Sequence, residues 1–129
     1  MQVTAKILTV LVALEHLYFL VLEMFLWTTP KGLETFNMTA EYAEQSARLA
    51  MNQGLYNGFL AAGLLWAGFL LKDARHSFQT LVFFLACVII AGVFGGATVH
   101  LKIAIIQGVP ALLALIMVWL AFRSRTTVS

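Results

Sequence analysis

Four long apolar runs divide the chain: Val3–Trp27, Leu49–Leu71, Thr80–Val99 and Ile103–Phe122. An α-helix needs ~20 mostly apolar residues to cross the hydrocarbon core of a bilayer, and each run reaches about that length. The connections are short except loop one, Thr28–Arg48. This pattern predicts an all-α fold: an integral membrane four-helix bundle forming a single domain over residues 1–129. The first run is longer than the h-region of a cleaved leader, and no small-x-small site follows it, so it reads as a retained helix.

Local signals place the ends. Trp27-Thr28-Thr29-Pro30 closes the first run with an interfacial Trp and a helix-ending Pro. Thr39 suits an N-cap with Glu41 in the first turn, which predicts a short amphipathic helix over AEYAEQSARLA, residues 40–50, lying at the interface before the second span. KDARHSFQ, residues 72–79, reads as a short basic loop and RSRTTVS, residues 123–129, as a frayed polar tail. Gly54-x-x-x-Gly58 and Gly92-x-x-x-Gly96 read as places where helices approach closely. Pro110 lacks an N–H, so it leaves the carbonyl of Ile106 without its helical donor and kinks the last span.

Composition agrees with the pattern. The 129 residues are 61% hydrophobic and 11% charged, where a soluble domain averages about a quarter charged. The net charge of +2 names no partner. No basic run with interleaved aromatics points to nucleic acid. Cys87 is the sole cysteine, so an internal disulfide is ruled out. Lys6, Lys72, Arg75, Arg123 and Arg125 fall toward one side of the spans and Lys31, Arg48 and Lys102 toward the other. The positive-inside rule then puts both termini in the cytoplasm and loop one outside.

Against this apolar background the polar residues stand out. Glu15, His16 and Glu23 lie inside the first span, where an ionised group costs on the order of 2.5–3.5 kcal/mol at the bilayer centre. Asn52, Gln53, Tyr56 and Asn57 lie in the second span and Gln107 in the fourth. With both termini inside, these residues share an outer layer, together with Trp27 at the boundary. His16 and Glu23, seven apart, fall on one stripe, and Glu15 is turned about 100° from His16. Each also has a structural reading. Asn and Gln in membrane helices often bond only across helices, worth roughly 0.6–2 kcal/mol; His16 can be satisfied by Glu15, Glu23 or Tyr56; Glu23 can reach the headgroup water. Glu15 is the hardest to place so, because a mid-depth carboxyl must pair or hold its proton.

ALEHLYFLVLEMFLWTTP (Ala13–Pro30) and NQGLYNGFLAAGLLW (Asn52–Trp66), with Gln107 and Pro110, resemble the small bacterial membrane proteins grouped as domain of unknown function 1304. The resemblance covers nearly the whole chain. It implies a four-helix membrane protein and a common site formed by Glu15, His16, Glu23, Trp27, Asn52, Gln53, Tyr56 and Asn57. It brings no activity with it.

Two classes of function therefore compete. One is binding or transport of a small molecule through an outward polar pocket floored by a proton-sensitive carboxyl. Four helices are few for alternating access in one chain, so this reading requires a homodimer. The other is an intramembrane acid/base enzyme, of isomerase or epimerase type, acting on a lipid-soluble substrate. A metal site is disfavoured, since adjacent Glu15 and His16 diverge and the spans hold no second histidine. No cofactor is implied. The expected partners are the lipid bilayer, a small or lipid-like molecule and a second copy of the chain, and the expected location is the bacterial cytoplasmic membrane.

Overall fold

The computed structural model describes residues 2–126, with side chains through Ser124. All elements are helical, with no strand among the described residues. The order is α1 (Gln2–Phe25), α2 (Pro30–Phe36), α3 (Ala40–Leu65), a π-helical turn (Trp66–Leu70), α4 (Ala74–Thr98), α5 (Leu101–Ile103), a second π-helical turn (Ala104–Gly108) and α6 (Val109–Thr126). Among the described residues three helical segments are long and apolar enough to span a membrane: Gln2–Phe25, Ala74–Thr98 and Leu101–Ser124. α3 falls short of that hydropathy because Asn52, Gln53 and Asn57 interrupt it, while the apolar WAGFL continuation is wound as a π turn.

Size sorting inside these helices is opposite to that of a water-soluble core. The buried positions are mostly small: Ala5, Thr9, Ala61, Ala67, Ala111, Ala114 and Ala121. The large apolar side chains Leu14, Phe83, Ile90, Phe94 and Trp119 point outward. Lipid tails are as apolar as Leu, so helices in a bilayer gain most by bringing small residues together and leaving large ones to the lipid.

The chain falls into two compact units. The first comprises Met1–Ala13 and Ala62–Ser129. Within it α4 and α6 form an antiparallel hairpin in constant register. The hairpin sets Gly96 against Ala104 and Gly92 against Gly108 near the turn, and at the other end Phe78 stacks on Phe122 with centroids 4.1 Å apart. A Cβ on Gly92 would stand 3.0 Å from the Gly108 nitrogen, so the two backbones touch there. The second unit is Leu14–Ala61. In it α1 and α3 run antiparallel, with Gly58 on Leu20 and Gly54 on Met24 and Glu23. Both glycine pairs thus serve close packing.

Several boundaries differ from the sequence reading. Residues 40–50 are not a separate interfacial helix; they are the start of α3, capped as expected by the Thr39 hydroxyl accepting from the Tyr42 N–H at 3.2 Å. No proline follows that cap, and α3 runs on without a break. Loop one forms its short helix earlier, at α2, where Thr29 caps and Pro30 occupies the first turn. Asn37 ends it in the left-handed region, φ 49°. α1 stops two residues short of Trp27, at Phe25. Most of the expected basic loop is helix, because Asp73 caps α4 by accepting from the His76 N–H at 2.7 Å. That bond, with the nearby His76 and Arg75 charges, holds the Asp73 carboxyl below its ordinary value. The last helix includes Arg123–Thr126 of the tail expected to fray; residues 127–129 lie outside the described residues.

The π turns have local causes. Pro110 cannot donate to Ile106, and the preceding turn widens to the i→i+5 pattern, which directs each carbonyl one residue further along. At the end of α3 the Leu71 N–H reaches Trp66 O at 3.1 Å, five residues back, and the Ser77 hydroxyl donates to Ala67 O at 2.7 Å.

Candidate functional site

The polar residues of α1 and α3 sit in the second unit. The helix-on-helix contact at Gly54 and Gly58 brings Glu23 and Asn57 to one seam, where the Asn57 amide donates to Glu23 Oε2 at 2.7 Å. Asn57 is buried and Glu23 half-buried. A charge-capable acceptor in an apolar seam is costly unless hydrogen-bonded, and Asn57 supplies that bond.

His16 is fully buried, one of the largest side chains enclosed in this way, with the Phe19 ring edge-on at 5.8 Å. Glu15 is half-buried, and its Oε2 is enclosed without a hydrogen-bond partner among the described residues. Of two carboxyls on one helix, one is satisfied and the other keeps an open acceptor.

Trp27 closes the region at the start of loop one. Its indole N–H donates to Ser46 Oγ at 3.0 Å and its ring lies 4.7 Å from Phe36. Ser46 in turn donates to Tyr42 O at 2.6 Å. Sequence reasoning missed Ser46. The signal was the indole itself, which when half-buried needs an acceptor at its own level.

The remaining expected residues are placed differently. Asn52 is exposed on α3, its amide donating to Arg48 O at 3.0 Å one turn earlier. Gln53 and Tyr56 are exposed as well, Tyr56 with its ring 6.2 Å from Phe59. They occupy the outward side of α3 and not the seam with α1. Gln107 belongs to the other unit, half-buried in the second π turn with its Cβ close to Gly92. No group of three or more His, Cys, Asp or Glu residues is gathered for a metal ion among the described residues.

Similarity to known proteins covers the same stretch. The family described as "Protein of unknown function (DUF1304)" matches residues 10–119, which include Glu15, His16, Glu23, Trp27, Asn52, Gln53, Tyr56, Asn57 and Gln107. The uncharacterised protein YpaA of Lactococcus lactis subsp. lactis (strain IL1403) is 36% identical over 118 residues, 90% of this chain and 97% of YpaA. No solved structure matches. A match over most of the length, repeated in a full-length relative, places this chain in the DUF1304 family.

Proposed function

We propose that this protein is a four-span protein of the bacterial cytoplasmic membrane that binds a small donor-bearing molecule at Glu15, as the step of a proton-coupled exchange. The fourth span is α3 with its π continuation. At about 1.5 Å per residue, residues 40–70 extend roughly 45 Å, well beyond the ~30 Å hydrocarbon core. The excess at the N-terminal end, including Glu41, Glu44 and Arg48, stands outside with α2. Both termini and the Leu71–Asp73 turn then lie on the cytoplasmic side, where Lys6, Lys72, Arg75 and Arg123 supply the basic majority.

One observation supports a binding role above all: Glu15 Oε2 is enclosed with no hydrogen-bond donor among the described residues, while Glu23 eight residues on has one. An unpaired buried acceptor costs about 1–3 kcal/mol, so the site gains from a ligand that brings a donor. A protonated amine fits, because it can also take over the place of the carboxyl proton. In this reading a second copy of the chain supplies the alternating partner.

The test is Glu15→Gln, which keeps the shape and the neutral form. Binding of a panel of hydrophobic primary amines to purified protein, followed by thermal shift across pH, should depend on pH in the natural protein and lose that dependence in Glu15→Gln. A variant that binds with unchanged pH dependence overturns the proposal. One that fails to fold assigns Glu15 to the architecture.

A further inference from the structure

The first unit holds a second feature, separate from the polar seam. A cleft of about 80 Å³ opens where helix ends meet: Gln2 and Lys6 from the start of α1, Ser77 from the start of α4 and Phe122 from the end of α6 all line it. An apolar groove lies beside it along the outside of α1, lined by Val3, Ile7, Val10 and Leu11 with Phe69, and it offers about 300 Å³. Lys6 lines both. Its ammonium is held over the Phe69 ring at 5.5 Å from the centroid.

We infer that this paired cleft and groove is a binding site for one anionic phospholipid, with the phosphate on Lys6 and an acyl chain along the groove. Four observations converge on that occupant. The cleft lies at the ends of α1, α4 and α6, the level at which headgroups sit if these apolar helices cross the bilayer. The groove leads away from it along the exposed face of α1, where Val3, Ile7 and Leu11 are all exposed and apolar, and a chain of methylenes matches that lining. Lys6 stands at the junction, as the phosphate stands between headgroup and chains. The Phe69 ring fixes the ammonium by cation–π attraction, so less side-chain freedom is lost on binding than for a free lysine.

The local basic charge favours an anionic lipid over a zwitterionic one. Lys72, Arg75 and Arg123 are exposed residues flanking the same helix ends. A basic residue near an anionic leaflet is worth about 1 kcal/mol, roughly a fivefold preference.

The experiment uses the full chain in mild detergent, with native mass spectrometry and thermal unfolding as readouts. Phosphatidylglycerol and phosphatidylcholine of identical acyl chains are compared, with inorganic phosphate as a third probe. The site predicts retention of one phosphatidylglycerol in preference to phosphatidylcholine. Lys6→Gln should reduce that preference about fivefold, while Lys6→Arg and Lys102→Gln, the latter at the opposite end of the hairpin, should keep it. Equal retention of both lipids overturns the inference, and so does an undiminished preference in Lys6→Gln. Protection by inorganic phosphate equal to that by the lipid also overturns it, since the groove would then have no part. None of these outcomes depends on Glu15, so the amine-binding proposal stands or falls separately.

Discussion

Glu23 and Asn57 illustrate how one hydrogen bond makes a carboxyl tolerable in an apolar seam. The amide is rigidly placed because Gly54 and Gly58 let α3 lie directly on α1, and Asn57 falls between them on the sequence. Removing the donor strands the acceptor; keeping an acceptor of the same shape does not. Asn57→Ala should therefore lower stability by about 1–3 kcal/mol, whereas Glu23→Gln, whose amide oxygen can still accept, should change it by less than about 1 kcal/mol. Unfolding by heat or by sodium dodecyl sulfate in mixed micelles measures both. Equal losses in the two variants would mean that an amide oxygen cannot replace the carboxyl group as acceptor for Asn57. Glu15 offers the contrast: same residue type, same helix, and no donor among the described residues for its enclosed oxygen.

Among the elements, the α4–α6 hairpin depends most on residue size. Its register is kept from Gly96 opposite Ala104 to Phe78 on Phe122, across the widened turn that Pro110 imposes. Two glycines meet in this hairpin and are not equivalent. A side chain on Gly92 would press on the backbone of Gly108, which cannot move aside, while a Cβ on Gly108 meets nothing within 4 Å. Gly92→Val should accordingly cost about 1–3 kcal/mol by overpacking. Gly108→Ala should be neutral or stabilising by up to ~1 kcal/mol, from helix propensity alone. Comparing the two unfolding midpoints in one detergent checks this, and a tolerated Gly92→Val would show that the helices are free to separate. Ser77 shows the complementary polar device at an element end, returning a hydroxyl to the Ala67 carbonyl at the π turn.

For the whole molecule the decisive question is topology. Among the described residues three segments have the length and apolarity to cross, and the proposed fourth span, α3, would put the two chain ends on one side. The cleft of the first unit is lined by Gln2 from the start of α1 and Phe122 from the end of α6. With Cys87 replaced, a cysteine introduced at exposed Glu34 in α2 should react with an impermeant maleimide added outside intact cells. One introduced at Ser129, beyond the described residues, should react only after the cells are opened. Labelling at Ser129 but not at Glu34 would invert the topology, and equal labelling at both would mean that the chain inserts in two orientations.

The amino-acid sequence by itself showed helical runs long and apolar enough to cross a bilayer. Run lengths, a charged fraction of 11% and the Gly-x-x-x-Gly spacings need no tertiary information, because they follow from bilayer thickness and from the cost of charge in hydrocarbon. Helix starts were legible where a side chain caps its own neighbours, as at Thr39, and were overlooked at Thr29 and Asp73, where proline and basic residues suggested a break or a loop. The polar set was legible as a set, since any Glu, His or Asn stands out in an apolar run. Its division was not. Asn52, Gln53, Tyr56 and Asn57 lie within a six-residue stretch of one helix, and a rotation of that helix by one position would exchange which of them meets α1. Only the packing of Gly54 and Gly58 onto Leu20 and Met24 fixes the rotation, giving Asn57 to Glu23 and leaving the others outside. The same holds for Glu15 and Trp27: the sequence shows a carboxyl and an indole in need of partners, and the tertiary structure decided that Ser46 answers one of them and nothing among the described residues answers the other's buried oxygen.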